Sequence, residues 1–388
     1  FLEKIFKINH LNPKIIKKNQ YNFINYLFLL SFIFINVFFY RIAEHGTDRS
    51  AQILVILLII ELLLFLNISK NKNVSPLLYL IVGIIISLKS FYILYLIFII
   101  PIIKYFWSNK KKFLFFKKIF FNINFLLLLL VIIFTLFTFF FNTGCFVYPI
   151  SFTCIDFVEW SIPKIEVKAM NAWYELWSKA GATPVERVTN PDLYIKEFNW
   201  VANWFDNYFF NKVSDFLLGL IFTGLLVLSS FYYFSKKVKI KIKKRKYLII
   251  YLILIILFFE WFYNHPALRY GGFCLIFLIL FIPFSLLLEK IKIGDIKFVK
   301  LSNIFISLTI LIFFARNVDR LYNEIKIYEY NPLTYTFYNV ETQHFRINKQ
   351  INDLINYYEI CSKSSEECIF KSSIKIKKQK NKYIIYKK

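Results

Sequence analysis

The chain has none of the compact motifs that announce a soluble enzyme. It contains no Gly-x-x-x-x-Gly-Lys phosphate loop, no Gly-rich dinucleotide turn, no His-Glu-x-x-His and no Gly-x-Ser-x-Gly elbow. The chemistries served by those arrangements therefore lack support. Histidine is scarce, at four in 388 residues, and none lies near the cysteines outside the apolar runs. Their spacing matches no zinc ribbon, so a metal site is only the alternative reading of them. No internal repeat appears, which removes the sequence support for the repeated halves of many secondary transporters. No cleavable signal peptide is evident either: the first 20 residues are basic and interrupted by Pro13. Acidic residues are few, 24 against 49 Lys and Arg.

Long apolar runs are abundant. Mean hydropathy is +0.52 and 58% of residues are hydrophobic, well above the level of soluble domains. Apolar runs alternate with Lys-rich ones, and about 18 or more apolar residues suffice to cross a bilayer. The pattern predicts an all-α, polytopic helical membrane protein with about nine transmembrane segments, near 21–40, 52–68, 76–88, 91–107, 119–141, 213–234, 247–263, 273–288 and 301–315. The stretch 76–88 is short and 91–107 contains Pro101. Such a pair suits a re-entrant or partly inserted hairpin as well as full spans. A formal charge of +25 raises nucleic acid as a partner, but the basic runs sit between spans. They read instead as topology signals and contacts with anionic lipid headgroups.

The positive-inside rule orders these segments. With the N-terminus in the cytoplasm, the Lys-rich stretches 1–20, 69–75, 108–118, 235–246 and 289–300 fall inside, together with only three acids, Glu3, Glu289 and Asp295. The organisation expected is a transmembrane domain over 1–315, with an extracytoplasmic segment at 142–212 inserted, and a small extracytoplasmic α/β tail over 316–388. The 142–212 segment holds five of the seven tryptophans. Trp173 and Trp177, like Trp200 and Trp204, lie four apart, as on an amphipathic helix at the outer membrane interface. The same faces also suit stacking on sugar rings. Two short-range cysteine pairs, Cys145 with Cys154 and Cys361 with Cys368, fall on the predicted outer side and fit disulfides there. Cys274 reads as a small packing residue within a span.

Chemistry-bearing residues collect in two short outer loops. The first carries Glu44, Asp48 and Arg49, where an acid for general-base work or metal binding sits beside a phosphate-binding arginine; a solvated turn with a local ion pair is the plainer alternative. The second runs Asn264-His265-Pro266-Ala267-Leu268-Arg269-Tyr270-Gly271-Gly272, with Glu260 just before it. His265 suits acid–base work near neutral pH, Arg269 suits a phosphate clamp, and the glycines allow close backbone approach. A plain helix-to-helix turn is the alternative. Glu61 in mid-span and Lys89 at the tip of the short hairpin are costly in a membrane, and so are either paired or functional.

The layout resembles the polytopic bacterial membrane proteins of cell-surface polysaccharide synthesis, a group loosely associated with the GT-C glycosyltransferases. The resemblance rests on Glu44-His45-Gly46-Thr47-Asp48-Arg49, on the Cys145–Cys154 stretch followed by Trp173-Tyr174-Glu175-Leu176-Trp177-Ser178-Lys179-Ala180-Gly181, and on His265 through Gly272. It implies transfer of a sugar from a polyprenyl-phosphate-linked donor on the outer face of the bacterial inner membrane. Glu44 or Asp48, with His265, would take the catalytic roles. Arg49, Lys89, Glu260, Arg269, Tyr270, Trp173 and Trp177 would bind substrate. A divalent cation is open as a cofactor, and the partners expected are membrane lipids and the lipid-linked donor. The first outer loop is far shorter than in those enzymes, and the main outer segment is central where theirs tends to be C-terminal. An O-antigen polymerase or ligase would rest instead on His265 and Arg269. A transporter of the same lipids, or a structural membrane protein, needs neither loop for chemistry.

Overall fold

The computed structural model describes residues 21–41, 46–68, 76–107, 121–158, 160–181, 188–235, 247–291, 293–328, 351, 353–360, 374–379 and 382–387. Its helices are α1 (Tyr21–Phe38), α2 (Asp48–Ile68), α3 (Pro76–Leu88), α4 (Ile99–Trp107), α5 (Ile123–Thr143), α6 (Lys164–Lys179), α7 (Pro191–Ile195), α8 (Val201–Trp204), α9 (Ser214–Tyr233), α10 (Leu248–Asn264), α11 (Gly272–Glu289) and α12 (Asp295–Tyr328). Glu44, Cys361 and Cys368 lie outside the described residues, as do most of the Lys-rich segments assigned to the cytoplasm.

Two compact units divide the chain, Phe1–Phe313 and Phe314–Lys388. The first is a helical bundle with the character of a membrane protein. Five of its helical runs, one of them continuing past residue 313, are long and apolar enough to cross a bilayer, and four shorter ones are apolar. At the centre α11 packs on α1, α2, α9 and α10, while α3 packs between α2 and α5. In α2 72% of the apolar window is buried, against 11% in α5. A helix apolar on every side yet left open, as α5 is, suits lipid and not water. Many hydroxyls within the helices bond back to the preceding turn, as Ser285 Oγ does to the Phe281 carbonyl at 2.7 Å and Thr309 Oγ1 to that of Phe305 at 2.7 Å, which shields those polar atoms from the apolar surroundings.

The short apolar pair breaks differently from an ordinary helical hairpin. After α3 the chain turns at Lys89 into a nine-residue 3-10 helix, Ser90–Phe98, which runs on into α4. In a 3-10 helix residues three apart eclipse one another. Tyr92, Tyr95 and Phe98 thus form one buried row, with ring centroids 5.0 and 5.9 Å apart. A second irregular stretch, π-helical over Phe205–Val213, joins α8 to α9. Helix α5 ends at Gly144, left-handed at φ 75°, whose N–H bonds to the Phe140 carbonyl at 2.7 Å. A Cβ there would collide with Ser161, lying 2.7 Å from its Cα. The second unit holds the last part of α12, a helix at 353–360, and an antiparallel pair, β1 (Ile374–Gln379) and β2 (Lys382–Lys387), with Ile376 opposite Ile385.

Candidate functional site

Asp48 opens α2, where a carboxylate is favoured by the helix dipole. Its side chain is 2% exposed, and it holds two cations. Lys89 Nζ lies 2.6 Å from Oδ1, and Arg269 Nε donates to Oδ2 at 2.9 Å. Three elements distant in sequence meet here: the start of α2, the tip after α3, and the 3-10 turn Leu268–Tyr270 that leads into α11. Thr47 Oγ1 donates to the Leu88 carbonyl at 3.0 Å and ties the first two together.

Gln52 lies four residues after Asp48 and so on the same helix face. It donates to the Arg269 carbonyl at 2.9 Å and accepts from the Cys274 N–H at 3.0 Å. Further side chains satisfy the loop backbone. Trp204 Nε1 donates to the Pro266 carbonyl at 3.1 Å and Trp261 Nε1 to that of Ala267 at 3.0 Å. Ser178 Oγ accepts from the Ala267 N–H at 3.0 Å, and the Tyr208 hydroxyl from the Leu268 N–H at 2.9 Å. Buried backbone groups satisfied in this way fix the loop, so Arg269 is presented by a rigid support. Gly271 adopts φ 111°, a left-handed conformation, and a Cβ on Gly272 would strike the Trp261 indole, 2.7 Å from Cε2. Both positions need glycine, the first for conformation and the second for contact.

The Arg269 guanidinium lies over the rings of Trp177 and Tyr270, each 5.3 Å from the centroid. Aromatic faces attract such a cation. With Nε engaged by Asp48, its two Nη groups have no hydrogen-bond partner among the described residues. Lys89 likewise keeps donors beyond its one ion pair. Two cations and one carboxylate leave this cluster a net positive charge, with both cations part-exposed and Asp48 covered. Such an arrangement has the charge and the spare donors to suit an anion.

His265 stands beside the cluster, its ring between Phe91 and Tyr270 at centroid distances of 5.9 and 5.7 Å. Burial pushes its pKa down to about 4; the Glu175 carboxylate opposes that shift and the Lys179 ammonium adds to it. Its Nδ1 is buried without a hydrogen-bond partner among the described residues. Burial also raises the Tyr270 phenol, with Arg269 pulling the other way. Lys179, two residues after Trp177 at the end of α6, is 1% exposed. That ammonium pairs with Glu175 at 2.5 Å, donates to the Ile195 carbonyl at 2.9 Å, and lies over the rings of Trp200 and Tyr263. It thereby staples α6 to α7.

Of the residues singled out by sequence, the structure brings Asp48, Lys89, Arg269, Tyr270, Trp177 and His265 to one place. Arg49 is engaged elsewhere: its Nη1 donates to the Arg41 carbonyl at 2.5 Å and its guanidinium lies over Phe39. Glu260 accepts from Asn264 at 3.1 Å within the last turn of α10. Trp173 is 45% exposed and meets Tyr174 edge-on, away from the cations. Trp200 and Trp204 do not lie at a lipid boundary: both are buried, each with its indole N–H bonded to a carbonyl. Cys145 and Cys154 form a disulfide, in the same loop whose Tyr148 carbonyl accepts from Ser90 Oγ at 3.0 Å, next to Lys89. Sequence reading gave no individual role to Gln52, Ser178, Lys179 or Tyr208. Gln52 was the most legible of them, a polar residue one turn beyond Asp48 at the start of a long apolar run. No cluster of His, Cys, Asp and Glu able to hold a metal occurs among the described residues.

No curated protein and no solved structure matches this chain. A family model does, over residues 4–277, a span that contains every element building the cluster. The chain belongs to that family, a domain of unknown function designated DUF8201.

Proposed function

We propose that the Lys89–Asp48–Arg269 cluster is an outer-face receptor for the phosphate of a lipid-linked sugar, and that the protein transfers that sugar during assembly of a cell-surface glycan. In this reading nine helices enter the bacterial inner membrane, the N-terminus is cytoplasmic, and the 142–212 segment and the tail lie outside. The observation that carries the reading is the pair of part-exposed cations on one covered carboxylate. The flanking rings of Trp177 and Tyr270 add surfaces suited to a sugar.

In such a transfer an acceptor hydroxyl attacks the anomeric carbon, the bond from that carbon to the phosphate oxygen breaks, and the phosphate leaves with the electron pair. Arg269 and Lys89 stabilise the charge that develops on it. The hydroxyl proton passes to a base. Both carboxylate oxygens of Asp48 already accept from cations, which makes Asp48 the positioning residue for the clamp. His265, neutral and with its Nδ1 unpartnered among the described residues, is then the better candidate to receive the proton, and a phosphate seated beside it would raise its pKa from about 4 to suit that role. This favours the polymerase- or ligase-like form of the reaction over one with Asp48 as base.

Binding of a polyprenyl-phosphate-linked sugar to the protein in nanodiscs tests the reading. Arg269→Ala and Lys89→Ala should each weaken binding by roughly 10-fold or more, the equivalent of about 1.5–3 kcal/mol for a charge-assisted hydrogen bond. His265→Ala should bind normally and lose turnover. Wild-type affinity in both cation variants would overturn the proposal.

A further inference from the structure

Beneath the cation pair runs an apolar cleft of about 60 Å³ between α2, α3, α4, α5 and the 3-10 helix. Leu58, Leu62, Val82, Tyr95, Phe98 and Leu128 are among the side chains that line it. Its depth follows from helix geometry. Leu58 comes ten residues after Asp48 on α2, and Val82 seven before Lys89, which places the cleft about 10–15 Å along the bundle from the cluster. One residue links the two sites. Tyr95 lines the cleft, and its hydroxyl would lie 3.4 Å from a Cβ on Gly271, two residues beyond Arg269. Leu96, also in the lining, is 37% exposed, so the cleft is open to the apolar surface of the bundle.

An anion receptor about 10–15 Å above a lipid-accessible apolar cleft fits an amphiphile with a charged head and a long tail. A volume of about 60 Å³ leaves room for a short stretch of one chain and none for a second beside it. We infer that the cleft seats a short stretch of the hydrocarbon chain of a single-chain lipid phosphate whose head is held by Lys89 and Arg269. This rests on the anion-receptor reading above and adds the tail, its position and its chain number.

Three soluble or dispersed probes separate the parts, with the full chain in nanodiscs: butyl phosphate, too short to reach the cleft; hexadecyl phosphate, long enough to fill it; and dioleoyl phosphatidate, with two chains. Hexadecyl phosphate should bind more tightly than butyl phosphate. Val82→Trp, which fills the cleft, should reduce hexadecyl binding about 10-fold or more, in line with losing the burial of two or more methylenes at about 0.8 kcal/mol each, and leave butyl binding unchanged. Arg269→Ala should weaken both. Unchanged hexadecyl binding in Val82→Trp sinks the tail assignment while the receptor survives. Unchanged butyl and hexadecyl binding in Arg269→Ala sinks the receptor itself. Phosphatidate competing as well as hexadecyl phosphate refutes the single-chain claim. If Val82→Trp does not fold, Leu96→Trp at the part-exposed edge replaces it, with the same expectation. A hexadecyl phosphate carrying a terminal diazirine gives an independent reading in the unmodified protein: cross-links should map to α2, α3 and α5 at the depth of Leu58 and Leu128, and labelling confined to other helices overturns the assignment.

Discussion

Removing the negative charge at Asp48 is the sharpest perturbation the structure offers. In Asp48→Asn the shape is kept, one acceptor oxygen remains, and two cations lose the carboxylate between them. Unit charges 4 Å apart interact by about 4 kcal/mol at an effective dielectric near 20. Lys89 and Arg269 are each about a third exposed, so solvent screens part of that. A value of about 1.5–3 kcal/mol for each charge-assisted bond is the better guide. Asp48 itself is covered, and breaking a buried pair from one side costs about 3–5 kcal/mol. The expected loss for Asp48→Asn is therefore about 3–5 kcal/mol, measured by reversible unfolding in mixed detergent micelles. Pairing it with Lys89→Met and with Arg269→Gln in double-mutant cycles should give coupling energies of about 1.5–3 kcal/mol each. The triple variant should be more stable than the sum of single losses predicts, because no stranded cation remains. Additivity within about 0.5 kcal/mol in both cycles would refute the claim that Asp48 is the node holding the two cations.

Other consequences can be checked in the same system. Gly272→Ala should destabilise by about 1–3 kcal/mol through its clash with Trp261, and Trp261→Phe should recover part of that loss; unfolding of the single and double variants decides it. His265 has a folded-state pKa near 4 against 6.5 for the free side chain. The unfolded chain thus binds the extra proton first, and stability, complete above about pH 6.5, should fall as pH drops from there toward 4. Unfolding between pH 7.5 and 4 should show a slope that His265→Gln removes. Reducing the Cys145–Cys154 bridge, whose partners are nine residues apart, should cost about 2.7 kcal/mol on the chain-entropy estimate, with the loop around Tyr148 showing the largest gain in hydrogen exchange.

The helices were legible because apolar runs, Lys-rich breaks and a 3.6-residue period speak with one voice over long windows. Asp48, Lys89, Arg269 and His265 stood out for a related reason: an ionisable group beside an apolar run is costly and therefore conspicuous. Their meeting was not legible. It depends on how α2, the hairpin tip and the turn before α11 pack, and sequence separations of 41 and 221 residues carry no local signal of contact. The Trp200 and Trp204 pair shows the limit of periodicity. Spacing four apart is the same whether an aromatic face meets lipid or a protein core, and here the core wins because each indole N–H finds a carbonyl. The 3-10 helix was equally hidden, since the sequence of Ser90–Phe98 differs little from its α-helical neighbours and only its packed tyrosine row distinguishes it.

The brevity of α3 has a consequence for the bilayer itself. Thirteen residues span about 20 Å, some 10 Å less than a typical hydrocarbon core. Its tip is tied at the level of Thr47, so the shortfall cannot be relieved by sliding along α2. On the membrane placement proposed above, lipids beside this corner thin or tilt instead, at a cost of fractions of a kcal/mol per ångström of mismatch. On that placement a locally thinned leaflet lowers the headgroup plane toward Lys89 and Arg269, and the lipid phosphate proposed as ligand can then arrive by lateral diffusion without being lifted out of its layer. Bilayers of shorter acyl chains should favour that approach, and thicker ones should slow it.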